Sequence, residues 1–474
     1  MIPEALTFDD VLLVPQRSSV VSRKDVETRT QLSRNITLNI PLVSANMDTV
    51  TESAMAIIMA REGGIGIIHR FLSIKDQVRE VQLVKRADNI VIDTPFTIGP
   101  YMSLADAKEA MHQHNVSGLL VLDDEGALVG IITRRDIVFE EDNNKLIRDI
   151  MTPKERLVTA GRDISPEEAR KILAKHRIEK LPLVYENKLC GLITAQDIVK
   201  RLEHPKASRD KRGRLLVGAA VGVKEDFIER AEMLVKAGCD VLVVDIAHGH
   251  SDLAINTVRE LKKKFSIDII AGNVATAEGT SDLIEAGADA VKVGVGGGSI
   301  CITRIVTGSG VPQLQAILDC APVAKRAGIP LIADGGIRNS GDMTKAIAAG
   351  ASTVMLGNVL AGTDESPGIT IIRNGIKQKV CRGMASFGAH LGRKEREGQK
   401  DDNPNDYVAE GVEAMVPYRG KVSEVIQQLV GGLWSGMSYC GARTVLEIQQ
   451  NARFTKMTQS GLRESHPHDV NVVK

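Results

Sequence analysis

The chain has 474 residues, 43% hydrophobic and 25% charged, the balance of a folded globular protein rather than a disordered one. Lys and Arg total 60 and Asp and Glu total 60, so no net basic field exists to hold nucleic acid or an anionic membrane, and an anionic ligand must be caught locally. Aromatics are only 3% and glycines number 43, which suits an α/β protein with Gly-bearing turns better than a β-sandwich.

The N-terminal MIPEALTFDD has no basic start and no apolar core, so no signal peptide is expected. Short β-branched runs then recur: 38–47 (LNIPLVSANM), 63–70 (GGIGIIHR), 215–222 (LLVGAAVG), 240–248 (DVLVVDIAH), 267–274 (IDIIAGNV), 290–296 (AVKVGVG), 329–337 (IPLIADGGI) and 352–358 (STVMLGN). Continuous apolar runs of this length read as buried parallel strands. Helical patterns lie between most of them, as at 225–237 and 277–286. Eight βα units predict a (β/α)8 TIM barrel; the rival, an open doubly wound sheet, lacks a GxGxxG opening its first unit. Between the second and third runs, residues 103–138 match 165–199, each reading helix, strand, turn, strand, helix and each ending in G-[IL]-I-T-x-x-D-I. Two half-units too small to fold alone predict a paired module over 90–203, inserted into a barrel of 1–89 and 204–474. The charged stretch 390–406 follows the eighth run, where barrel loops form the active face; we expect a mobile flap near 386–409.

Chemistry concentrates at GVGGGSICITR, 294–304. Its glycines let backbone N–H groups approach an anion, Ser299 adds a hydroxyl, and Cys301 sits just past a strand end in a polar setting, as a nucleophile should. Most free cysteines are small buried hydrophobes, the plainer reading of this one. None of the six cysteines forms a CxxC, so a zinc ribbon is excluded and reduced thiols in the cytoplasm are expected. Asp334 in ADGGI can accept hydrogen bonds from ligand hydroxyls at a strand end, and Gly357 and Asn358 close the eighth run, the usual phosphate end of such barrels. Asp245 precedes AHGHS, where His248 and His250 have no third ligand for a metal.

TFDDVLLVPQ (7–16), MDTVTE (47–52), GGSICITR (297–304), IADGGIRNSGD (332–342), LAGTDESPG (360–368) and SGMSYCGA (435–442) resemble the inosine-5'-monophosphate (IMP) dehydrogenase family, over nearly the whole chain. The inserted repeat resembles that family's tandem cystathionine-β-synthase (CBS, Bateman) pair, about 90–146 and 150–203, which implies adenine or guanine nucleotides as its ligands. The resemblance implies oxidation of IMP to XMP with NAD, through a covalent bond from Cys301 to purine C2. It further implies that Thr303 orients water with help from Arg396; that Met47, Ser299, Asp334, Gly336, Gly357, Asn358, Gly383, Met384 and Glu410 hold the nucleotide; and that Asp245, Asn273, Gly294 and Gly296 face NAD. Carbonyls of Gly296, Gly298 and Cys301 would hold K+, completed by Glu464, Ser465 and His466 of the partner subunit in a homotetramer. Some positions depart from the pattern: Arg396-Glu397 stands where the family flap has Arg-Tyr, Cys381 where it has Tyr, Ala385 where it has Gly, and Asn358 where it has Ser. Asn46 is closer to GMP reductase, a sister family sharing the barrel and the Cys loop. IMP dehydrogenase is the leading expectation, since the reductase places a Glu after its Gly-Met where this chain has Phe387. The alternatives are GMP reductase, turning GMP to IMP with NADPH, and a catalytically impaired nucleotide sensor, which the Cys301–Thr303 pair disfavours.

Overall fold

Each of the eight apolar runs holds one strand of a closed parallel barrel: β1 (Leu42–Ser44), β2 (Ile65–Ile68), β3 (Val217–Val221), β4 (Val241–Asp245), β5 (Asp268–Val274), β6 (Ala290–Val293), β7 (Leu331–Asp334) and β8 (Thr353–Leu356). The computed structural model describes residues 2–88, 91–114, 116–224, 226–389 and 408–470. Neighbours pair in chain order, and β8 closes on β1 with Met355 opposite Val43. The strands are apolar throughout because both faces are covered. Ile65, Ile67, Val241, Val243 and Ile270 fill the barrel interior, while their neighbours Ile68, Leu242, Val244, Ile269 and Ala271 pack outward in the larger core. That alternation is the strand's two-residue period, and each fully buried aliphatic side chain contributes about 1.5–3 kcal/mol.

Helices follow the strands: α1 (Ser53–Arg61), α2 (Ile74–Ala87), α3 (Phe227–Lys236), α4 (Asp252–Lys264), α5 (Ala277–Glu285), α6 (Gln313–Ala327) and α7 (Ser340–Ala348). Side-chain caps fix the starts of α4, α5 and α7, where Ser251, Thr276 and Asn339 accept from backbone N–H groups one turn on. A longer helix, α8 (Val422–Tyr439), packs against α7. The lower mouth of the barrel is plugged by an N-terminal hairpin that the sequence reading had not foreseen. There Leu32 and Leu38 enter the interior cluster, and Ser33 and Asn35 donate to Asp268 at 2.6 and 2.7 Å. Among the described residues, the end carrying the strand C-termini bears the cavity lined by Asp245, Asn273 and Asp334.

The chain divides into two compact units, one of residues 1–87 and 206–474 and one of Asp88–Pro205. In the smaller unit, the first repeat comprises Leu104–Gln113, Gly118–Leu122, Leu128–Thr133 and Arg134–Ile137; the second comprises Pro166–His176, Lys180–Tyr185, Lys188–Thr194 and Ala195–Glu203. Each G-[IL]-I-T-x-x-D-I segment is a strand running into a helix. The Thr133 and Thr194 hydroxyls donate to Asp136 and Asp197 at 2.7 and 2.5 Å; the Thr133 N–H also donates to Asp136 at 2.7 Å within a capping box, and the Asp197 N–H donates to Thr194 Oγ1 at 3.2 Å. A cavity of about 380 Å³ opens beside the first of these, lined by Thr133, Asp136, Arg134, Arg135, Arg156, Arg177 and Lys180. After β8, a three-stranded antiparallel sheet joins Thr370–Arg373, Ile376–Arg382 and Glu413–Pro417. The expected flap near 386–409 falls mostly on 390–407, and these residues, Arg396 included, lie outside the described residues. Among the described residues no helix is long and apolar enough to cross a membrane.

Candidate active site

The loop after β6 can form only with glycine at key points. Gly294 has a φ of 146°, and a Cβ there would lie 2.0 Å from the Asp334 carbonyl oxygen. The loop is braced from below by Arg304, whose guanidinium donates to the carbonyls of Val295 and Val311 on its two sides. Gln313, at the start of α6, donates to the Val293 carbonyl at 2.9 Å. From above, the segment 410–412 runs antiparallel to the loop. Ile302 N–H donates to the Glu410 carbonyl at 2.8 Å, and Val412 N–H to the Ile300 carbonyl at 3.0 Å.

This pairing delivers the Glu410 side chain to Thr303, beside Cys301. Thr303 Oγ1 donates to Glu410 Oε2 at 2.9 Å, and Cys301 Sγ lies 3.1 Å from Thr303 Oγ1. The hydroxyl has one proton, and it is given to the carboxylate. In that arrangement the thiol proton is the one directed at Thr303. A proton path thus runs from sulfur through a hydroxyl to a carboxylate, the arrangement needed to make a thiolate and to store its proton.

A cavity of about 300 Å³ lies over this chain, lined among others by Met47, Asp245, Asn273, Lys292, Gly294, Gly296, Gly298, Cys301, Thr303, Asp334, Gly383, Met384 and Glu410. Met47 and Met384 meet there because Asp48, next to β1, receives the Arg382 guanidinium at 2.9 Å while its N–H points at Met384 Sδ, 3.4 Å away. Asp334, at the end of β7, receives Lys292 at 2.6 Å and Asn273 at 2.9 Å, both on Oδ2. Asn273 also donates to the Gly294 carbonyl at 2.8 Å and accepts from Lys292, so it stands with Asp334. At the other side Asp245 Oδ2 accepts from Arg70 at 3.1 Å, and Oδ1 accepts no hydrogen bond among the described residues.

Not every expected residue reaches this cavity. Ser299 is exposed on the Cys loop, and Gly336, Gly357 and Asn358 stand at the ends of β7 and β8 without lining it. Glu464, Ser465 and His466 lie at the end of the helix Gln459–Glu464, where Ser465 caps back on Gly461 at 2.9 Å. The Gly298 carbonyl accepts the Cys301 N–H at 3.1 Å, and among the described residues no three His, Cys, Asp or Glu side chains gather as a metal site. Sequence reasoning passed over Arg70, Lys292 and Gln313. For Lys292 a signal was present: a single charge inside the apolar run AVKVGVG, which in a buried strand must have a partner.

The family model described as "IMP dehydrogenase / GMP reductase domain" matches residues 5–468. An inosine-5'-monophosphate dehydrogenase of Nitrosopumilus maritimus is 58% identical over 98% of each chain. A GMP reductase of Leishmania donovani is 53% identical over 99% of this chain and 98% of its own. Among solved structures, a variant of GMP reductase from Trypanosoma brucei in complex with guanosine 5'-monophosphate is 52% identical, covers 99% of both chains and superposes with a TM-score of 0.90. This overturns the expectation of an NAD-dependent IMP dehydrogenase, since the whole-chain structural likeness is to the reductase. Of the motifs behind that expectation only GGSICITR forms the Cys loop, and the chain is more than half identical to relatives of both kinds. Phe387 stands where a carboxylate was sought after Gly383-Met384; the carboxylate that reaches Thr303 is that of Glu410.

Proposed function

Since the chain belongs to the IMP dehydrogenase / GMP reductase family, we propose that this oxidoreductase reduces GMP to IMP with NADPH. The observation that carries this reading is the chain Cys301–Thr303–Glu410. Purine C2 of GMP bears an amino group, and no amine leaves carbon as its anion. The Cys301 proton passes through Thr303 to Glu410, and the thiolate adds to C2. Glu410 returns that proton to the amino group, and ammonia departs with the C–N electron pair, leaving a thioimidate on Cys301. NADPH supplies the hydride. Its addition to C2 lets the C–S pair leave as thiolate and yields IMP. Two protons from solvent close the cycle: one restores the Cys301 thiol and one makes the released ammonia ammonium.

The remaining assignments follow from the same reading. Asp334 Oδ1, left free by its Oδ2 contacts among the described residues, accepts from the ribose hydroxyls, and Met47, Gly383 and Met384 bound the purine. Asp245, with Oδ1 open beside Arg70, suits a dinucleotide ribose. Ser299, Gly336, Gly357 and Asn358 offer hydroxyl, amide and backbone N–H groups to the phosphate. A monovalent cation would use the carbonyls of Gly296, Gly298 and Cys301 with Glu464, Ser465 and His466 of the partner subunit in a homotetramer. The Gly298 carbonyl retains a second lone pair for it. The unit 88–205 is read as the tandem CBS pair, and its cavity, with four arginines and Lys180, suits the phosphates of an adenine or guanine nucleotide.

The test is turnover. Pure protein with GMP and NADPH should consume NADPH and release one ammonia per IMP formed. Cys301→Ala should still bind GMP and consume none. Unchanged GMP and NADPH in the presence of folded wild-type protein would overturn the reading.

A further inference from the structure

We propose that Lys292 is a positioning residue for nucleotide recognition: it fixes Asp334 so that one carboxylate oxygen is presented to the ribose. The inference rests on the purine-nucleotide reading of the cavity. Lys292 is the penultimate residue of β6, where the inward face of the barrel meets the cavity floor. Its side chain is buried, with 4% exposure, and Nζ reaches Asp334 Oδ2 at 2.6 Å and Asn273 Oδ1. Asn273 Nδ2 closes the ring by donating to the same Oδ2 at 2.9 Å. The order of donors matters. An ammonium has three protons and no lone pair, so Lys292 forces the Asn273 oxygen toward itself and thereby the amide nitrogen toward Asp334. Both donors converge on Oδ2. Oδ1 carries no hydrogen bond among the described residues and is not sealed from solvent, so it is the acceptor available to a ligand hydroxyl.

A buried lysine is retained at a cost unless it is paired, and a strand position would otherwise take Val or Ile as its neighbours Val291 and Val293 do. The pairing links three strand ends, β5, β6 and β7, in one hydrogen-bonded ring, so the carboxylate is held on rigid elements rather than on a loop.

The test compares two ligands rather than one activity. Wild-type protein should bind GMP more tightly than 2',3'-dideoxyguanosine 5'-monophosphate, by calorimetry. Lys292→Met should lose about 10–100-fold in GMP affinity, the range of a charge-assisted hydrogen-bond network, with little change for the dideoxy nucleotide. The preference between the ligands should collapse, as it should in Asp334→Asn. Equal losses for both nucleotides would show a general packing role and overturn the proposal, as would an undiminished preference. Lys292→Gln, which keeps an amide donor at this position, should retain part of the preference and carries the same comparison if the Met variant does not fold. Failure of the reductase reading is separate: wild type would then bind GMP without consuming NADPH.

Discussion

Cys301 differs from the other cysteines in its surroundings. Cys239 and Cys320 are buried, and burial pushes their thiols up to about 12 and about 11. Burial also raises Cys381 and Cys440, and raises Cys190 in the smaller unit. Thiolates, not thiols, are alkylated, so one equivalent of iodoacetamide near neutral pH should label Cys301 first, and GMP should protect it. Peptide mapping reads this directly; labelling of Cys190 ahead of Cys301 would contradict it. The hydroxyl and carboxylate behind the thiol have separable effects. Thr303→Val breaks the proton path at its middle and Glu410→Gln removes the proton store, and each should lower turnover by about 10²–10⁴-fold while GMP binding changes far less. A loss confined to KM would instead make them binding groups.

Among the elements, α2 is tied to the barrel by its last turn. Lys85 is buried and reaches Asp240 at 2.5 Å, Asp210 at 3.2 Å and the Leu215 carbonyl at 2.9 Å. Burial raises Asp240 from its ordinary value. Burial acts in the same sense on Asp210, but Lys85 and the Arg214 N–H and guanidinium outweigh it and hold Asp210 low. Lys85→Met leaves Asp240 buried without its cation, while Asp210 keeps Arg214, and should cost about 3–5 kcal/mol in denaturant unfolding. A gentler link joins the N-terminal turn to α7, where Arg338 spans Asp9 and Asp342. The Arg338 hydrogen bonds hold Asp9 below its ordinary value of 3.8. A depressed carboxylate stabilises the fold above its unfolded pKa, and that stability is lost as pH falls through the folded pKa. Asp9→Asn should therefore flatten the loss of stability below about pH 4 while costing roughly 1 kcal/mol or less at neutral pH, since both partners are half exposed. An unaltered acid limb would exclude Asp9 as a contributor.

For the whole molecule, the informative feature is where the smaller unit leaves the barrel. Lys85, just before it, touches Asp210 and Leu215, just after it, so the two ends of the insertion lie side by side. Removing 88–205 and bridging with a short Gly/Ser linker should leave a folded barrel that still consumes NADPH with GMP. Guanine or adenine nucleotides that alter the full chain's rate should then have no effect. If they still act, their site lies in the barrel; if the folded barrel is inactive, the unit is part of the machinery. In the full chain, Arg156→Ala with Arg177→Ala should weaken nucleotide binding to the smaller unit and leave Cys301 chemistry intact.

By itself the sequence determined the barrel, because parallel strands covered on both faces must be written as apolar runs, and all eight runs became strands. It also marked Cys301, since a glycine-rich loop past a strand end is a local pattern that needs no distant partner. The tertiary structure alone decided what stands beside that thiol. Glu410 lies 107 residues from Thr303, and only the antiparallel pairing of 410–412 with the Cys loop brings its carboxylate to the hydroxyl. The ring of Lys292, Asn273 and Asp334 is likewise drawn from three strands and closes because barrel closure sets their ends at one level. The hairpin plug was illegible for the same reason: Leu32 lies in no apolar run, Leu38 only opens the run that becomes β1, and their burial depends on a barrel interior built from strands spread along the chain. The direction of hydride transfer was misread because the motifs that resemble the IMP dehydrogenase family stand in a chain that superposes along its whole length on a GMP reductase, so local patterns do not separate the two.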